Sequence, residues 1–162
     1  MTWLLPRALL LLAALLAGCQ EDRQLKTGAP APELGALTLD DQPASLQAWQ
    51  GKYVYLVFWS DSCGGCFAEM PSLQALYQRY QQDLVIVGIN TDASAERIRA
   101  VQQQMGLTYP QLRDQLNISS ERYQLQGTPS AYLLDRDGRL LAQSIGLQKP
   151  AVLAQQFQQL IP

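Results

Sequence analysis

The chain has no histidine, only three cysteines among 162 residues, and no excess of basic charge, with 12 Lys and Arg against 14 Asp and Glu. Without an imidazole there is no Ser-His-Asp or Cys-His nucleophile system, and no metal site built on histidine. A formal net charge of −2 creates no basic field that would draw nucleic acid or an anionic lipid surface. No internal repeat is found. The many glutamines ("QQQM", "AQQFQQL") fall on the polar faces of helical patterns, where solvated helix surface accounts for them. The length suits one domain with a core of its own.

What is present begins with a leader. "MTWLLPR" offers one positive charge, and "ALLLLAALLA" is an apolar run too short for the ~20 residues of a spanning helix. A small-residue site follows, which is the pattern of an export signal over residues 1–18. "LAGC", Leu16 to Cys19, resembles the lipobox of bacterial lipoproteins. That resemblance implies a diacylglyceryl group on Cys19, which then takes no part in redox. Acyl chains contribute about 0.8 kcal/mol per buried CH₂, enough for two or three to hold the protein on a membrane. The alternative is a plain secretory signal with an unpaired thiol left over. Residues 19–29 read as a polar tether and residues 30–162 as the domain, facing an oxidising periplasmic space where disulfides persist. In two-membrane bacteria, Gln20 after the lipidated cysteine favours the outer membrane. That creates a conflict, because a short tether there would keep the domain from an inner-membrane electron donor.

Along the domain, "APELGALTLDDQPASLQAWQGK" reads as short strands around a "DDQP" turn, with Leu46 and Trp49 packing behind. "KYVYLVFWS" and "DLVIVGIN" are near-continuous apolar runs, as in strands covered on both faces. Cys66 to Tyr80 carries Phe67, Met70, Leu73, Leu76 and Tyr77 at helical spacing, with Pro71 expected to kink it. "SAERIRAVQQQMG" is a helix capped by Ser94 and stopped by Gly106. A less regular stretch and a short helix near "SSERYQLQ" come next. "SAYLLDRDGRLLAQSIG" is a hairpin turning at "RDG", and "KPAVLAQQFQQLI" a closing amphipathic helix. Strands alternating with helices and a late hairpin give an α/β domain with a central mixed β-sheet.

The chemistry sits in "WSDSCGGCFAEMP", Trp59 to Pro71. A strand ends near Ser60 and a helix starts near Cys63, so Cys63 lies at a helix mouth where free amide N–H groups stabilise a thiolate. Such sites bring a cysteine pKa from ~8.5 into the ~3.5–7.5 range. Cys66, one turn further in, is placed to attack a mixed disulfide from below. A purely structural bridge would close so small a loop that it removes little unfolded-state entropy. A zinc site needs about four ligands, and the chain offers two thiols here. A CxxC beside a βαβ pattern favours redox use over both.

"VFWSDSCGGCFAEMP", "GTP" at Gly127–Pro129 and "DRDG" at the hairpin together resemble the TlpA/ResA-like thioredoxin-fold proteins, membrane-attached extracytoplasmic thiol–disulfide oxidoreductases. The resemblance covers about residues 28 to 162 and implies a thioredoxin fold flanked by helices, with an N-terminal β extension. It implies Cys63 as nucleophile and Cys66 as resolving thiol, with no cofactor beyond their disulfide and no metal. It further implies a cis Pro129 that sets Thr128 against a client's extended strand, Trp59 packed beside the site, and Glu69 handling protons near the buried thiol. The other reading of Glu69 is a solvent-facing helix residue. Implied partners are client protein disulfides and a membrane thiol donor of the DsbD or CcdA kind.

Two departures from the family stand out. Ser62 replaces the tryptophan common before the first cysteine, and Val57 stands where thioredoxin has a buried aspartate. Proton traffic must therefore use Glu69, Asp61 or water, and Asp61 reads better as a loop residue. The competing functions are a disulfide-donating oxidase with the same site, a Sco-like metal carrier, and a thioredoxin-fold peroxidase. The carrier would use a wider cysteine spacing plus histidine; the peroxidase would need no vicinal pair.

Overall fold

The computed structural model describes residues 25–161. The leader assigned to residues 1–18, together with Cys19 and Gln20, lies outside the described residues. Six strands form one sheet: β1 (Leu37–Thr38), β2 (Tyr53–Trp59), β3 (Leu84–Asn90), β4 (Gln111–Arg113), β5 (Ser130–Leu134) and β6 (Leu140–Ile145). Their order across the sheet is β1-β4-β3-β2-β5-β6. The β2–β3 and β3–β4 pairs are parallel, and the β1–β4, β2–β5 and β5–β6 pairs are antiparallel. This is the mixed sheet expected from the alternation of strands and helices, with β1 as the N-terminal extension.

Among the described residues four α-helices form: α1 (Gly64–Tyr80), α2 (Ala95–Met105), α3 (Ile118–Arg122) and α4 (Pro150–Leu160). Strand β2 explains why its sequence is apolar throughout. Tyr55, Val57 and Trp59 face one core with Met70 and Leu73 of α1, Ile98 of α2 and Phe157 of α4. Val54, Leu56 and Phe58 face a second core with Leu34, Tyr123 and Tyr132. A strand buried on both sides alternates between two cores, so no polar face appears in the sequence.

Helix α2 begins where Ser94 Oγ accepts from the Arg97 N–H at 3.3 Å. It ends at Gly106, whose φ of 64° is the left-handed conformation that glycine adopts without a Cβ clash. Helix α1 starts at Gly64, two residues earlier than the apolar spacing suggests, and continues through Pro71 as one helix. The stretch "APELGALTLDDQPASLQAWQGK" holds only the short β1 and a 3₁₀ turn over Leu46–Trp49 as regular elements. Among the described residues no helix is long and apolar enough to cross a membrane.

Candidate active site

The central strand β2 of the mixed sheet delivers the chain to α1. At the end of β2 the Trp59 carbonyl accepts from the Thr91 N–H at 3.1 Å, and the Cys63 N–H bonds the Ser60 carbonyl at 3.2 Å. The loop between them is pinned from the side. Asp61 donates its N–H to Asp92 Oδ1 at 2.8 Å, and its carboxylate takes both of its contacts, at 2.8 and 3.0 Å, from Arg97 Nε of α2. Asp61 is therefore a fastening of the loop, as its sequence context suggested.

Cys63 is the N-cap of α1, and its Sγ lies 3.1 Å from the Cys66 N–H. That amide also donates to the Cys63 carbonyl at 3.0 Å. An amide directed at Sγ is what stabilises a thiolate once the bridge is open. The two sulfurs are joined in a disulfide with Cα atoms 5.3 Å apart. Cys63 is half-buried, whereas Cys66 is 2% exposed and belongs to the core facing α1.

The Thr128–Pro129 peptide bond is cis. A Cβ added at Gly65 would stand 3.6 Å from Pro129 Cδ and 3.8 Å from Leu147 Cβ, so Pro129 and Leu147 pack against the first turn of α1 between the two cysteines. Thr128 Oγ1 lies 3.2 Å from Ser60 Oγ, which ties the loop before β5 to the loop before α1. Leu147 is exposed beside this junction.

Glu69 is not a solvent-facing residue. It is 3% exposed, and its Oε1 accepts the Gln148 N–H at 3.1 Å. Burial pushes its carboxyl pKa above the ordinary range, and the Gln148 bond opposes that shift only in part. The helical offset from Cys66 places both on the same side of α1, the one packed against the sheet.

Trp59 is 2% exposed, edge-on to Phe67 with ring centroids 6.0 Å apart, and its indole N–H donates to Gln111 Oε1 at 3.0 Å. It forms the floor behind the pair rather than a surface that a client can touch. Val57 is buried and apolar, leaving Glu69 as the buried acid beside Cys66.

Two contributors were not visible in the sequence. Gln148 acts through its backbone N–H, which any residue but proline would supply. Gln111 is a buried polar side chain in a three-residue strand too short to show a period. Among the described residues, no three His, Cys, Asp or Glu side chains come together to hold a metal ion.

This arrangement matches known proteins along most of its length. The model of the AhpC/TSA family fits residues 27–143. The thioredoxin-like protein YneN of Bacillus subtilis is 33% identical over 117 residues, covering 70% of this chain and 68% of its own. Thiol-disulfide oxidoreductase ResA of Bacillus thuringiensis is 28% identical over 143 residues, covering 88% of this chain and 83% of that one. Among solved structures, a thiol:disulfide interchange protein DsbE from Chlorobium tepidum superposes with a TM-score of 0.76 at 27% identity, over 84% of this chain and 98% of the other. With the bonded Cys63–Cys66 pair at the helix mouth, these relationships make the chain a ResA-like, thioredoxin-fold thiol–disulfide oxidoreductase of the AhpC/TSA family.

Proposed function

We propose that the protein is a lipid-anchored, extracytoplasmic reductase of client protein disulfides. The observation that carries the reaction is the asymmetry of the pair: Cys63 reaches the surface with an amide aimed at its sulfur, while Cys66 is buried. In the dithiol state the Cys63 thiolate attacks a client disulfide, and one client sulfur leaves as a thiolate that takes up a proton. Cys66 then loses its proton and attacks Cys63 Sγ. The second client thiolate leaves, and Cys63 and Cys66 are bridged. Two electrons pass to the client and no cofactor beyond the dithiol takes part. A membrane thiol donor of the DsbD or CcdA kind would restore the dithiol.

In this reading Glu69 is the base that receives the Cys66 proton, a role its burial and raised pKa support. Thr128 and Pro129 flank the extended client segment. The anchor rests on the "LAGC" motif at Cys19, and Gln20 favours the outer membrane.

One observation favours the reverse direction. The amide at Cys63 Sγ stabilises the reduced form, which is how disulfide donors gain their oxidising power. Equilibration with glutathione separates the two directions: a potential near those of the strong periplasmic oxidants would make the protein an oxidase.

The experiment for the reading as a whole is trapping with Cys66→Ser in cells. Dithiothreitol-sensitive adducts should collect in the membrane fraction, vanish when Cys63 is also replaced, and move to the soluble fraction with Cys19→Ala. Adducts that survive loss of Cys63 would sink the mechanism, and adducts that stay membrane-bound without Cys19 would sink the anchor.

A further inference from the structure

A buried acid that cycles protons must reach water, and in the proposed reaction a client docked on Cys63 covers the front of the site. A second opening lies behind it. A cleft of about 380 Å³ runs between β5, β6 and α4, with Tyr55 at its floor and Ser144, Gln148, Gln155, Gln156 and Gln159 among its walls. Gln148 joins the two places, because its backbone N–H donates to Glu69 while the residue lines the cleft. Its side-chain amide is turned away, donating to the Gly146 carbonyl at 3.0 Å.

Among the described residues the buried Tyr55 hydroxyl makes no well-formed hydrogen bond, although the Ser144 side chain lies close enough to act on it. A buried hydroxyl is rarely left unpaired, and a cleft roomy enough for water, with glutamine and serine side chains among its otherwise apolar walls, supplies the partner.

We propose that water in this cleft, held by the Tyr55 hydroxyl and the α4 glutamines, is the path by which Glu69 exchanges its proton with solvent, so that the proton leaves through the back of the domain while the client covers the front. The inference rests on the reading of Glu69 as acceptor of the Cys66 proton. In that step the Cys66 S–H bond breaks, the carboxylate gains the proton, and the Cys66 electron pair forms the bond to Cys63 Sγ. The carboxylic acid then passes its proton to water and returns to carboxylate, with no change in electron count.

Tyr55 acts as a neutral hydroxyl. Burial first, and the nearby Glu69 charge second, hold its pKa far above the ordinary phenol value, so it positions water without ionising. The titratable groups facing Glu69 are Cys66 from α1, Tyr55 from β2 and Tyr109 from the segment before β4, where the Glu69 charge also acts on the phenol. In the β6–α4 connection Gln148 gives Glu69 its backbone N–H, and the next residue, Lys149, is exposed and not among the influences on the Glu69 carboxyl. The glutamines that look like plain helix surface in the sequence thus form the wall of a specific feature.

The test is a carboxyl-carbon NMR titration of Glu69 in the reduced full chain. Removing the hydroxyl with Tyr55→Phe, or filling the cleft with Ala142→Leu, strips water from the carboxylate. Each should raise the Glu69 midpoint by about half a pH unit or more. If both variants fold and neither moves it by more than about 0.2 unit, the path is overturned. It is also overturned if only Tyr55→Phe acts, because the coupling would then bypass the cleft. On the native protein, water-selective cross-relaxation to the Tyr55 ring and Glu69 side-chain protons should be seen, and its absence would overturn the path without any variant. Release of thionitrobenzoate from a Cys63 mixed disulfide tests the underlying reading separately. If Glu69→Gln keeps the native rate and pH profile there, Glu69 is not the acceptor, whatever the titration says of its solvation.

Discussion

Glu69 shows at the scale of one residue how a helix position becomes a chemical one. A carboxyl in that place has no cation among the influences on its pKa, only burial raising it and one amide lowering it. In the unfolded chain it returns to the ordinary value of 4.5. Below that value both states hold the proton and its contribution to stability is fully present. As pH rises through the higher folded pKa the folded protein must give up a proton it holds more tightly, and stability is lost. Glu69→Gln keeps an acceptor for the Gln148 N–H and removes the titration. The variant should therefore be more stable than the native protein at neutral pH, and the advantage should fade as pH falls toward about 4. Urea midpoints of both proteins across that range check it; a pH-independent difference would mean that burial does not penalise the carboxylate. Asp61, eight positions earlier, has the same charge but is tied to Arg97 across an exposed pair, an interaction worth at most about 1 kcal/mol. The sequence placed both acids near the cysteines. Only the packing of α1 on β2 tells which one is buried, because a helix face is defined by what covers it.

At the scale of elements, what could be read in advance was what carries its own signal. The capped α2, the "RDG" hairpin and the two doubly buried strands follow from local pattern and turn chemistry. Strand β4 does not. Gln111–Arg113 is a strand because β3 pairs with it on one side and β1 on the other, contacts that no local window contains. Its first residue then organises the site floor. Gly88 of β3 leaves room for Gln111 to fold across it, since an added Cβ would stand 2.2 Å from Gln111 Oε1, the atom that accepts the Trp59 indole N–H. Gly88→Ala should push Gln111 away, break the indole bond and cost about 1–3 kcal/mol. In a Gln111→Ala background the same substitution should cost much less, a coupling of about 0.5–3 kcal/mol in a double-mutant cycle. Equal costs in both backgrounds would show that the glycine is not there to seat the glutamine.

For the whole molecule, redox direction and folding stability are one quantity measured twice. Unfolding the oxidised and reduced forms closes a cycle with the reduction potentials of the folded domain and of an unfolded chain carrying the same CGGC. Whatever favours the folded disulfide lowers the folded potential by the same free energy, about 30 mV for each 1.4 kcal/mol. Two features oppose each other here. The amide directed at Cys63 Sγ favours the thiolate, by about 1.4 kcal/mol for each unit its pKa lies below the reference. Against this, α1 and the Pro129 loop hold Cys63 and Cys66 together, so oxidation costs little further ordering, and burial of Cys66 disfavours any charge on the second sulfur. The reductase reading requires the second set to prevail. The oxidised protein should then be the more stable form by about 1–3 kcal/mol, and its potential should lie roughly 20–65 mV below that of the unfolded chain. Urea unfolding of both forms and glutathione equilibration of the folded domain and a CGGC peptide measure the two sides independently. Should the reduced form prove the more stable one, the same site would donate disulfides, and the flow of electrons proposed here would run the other way.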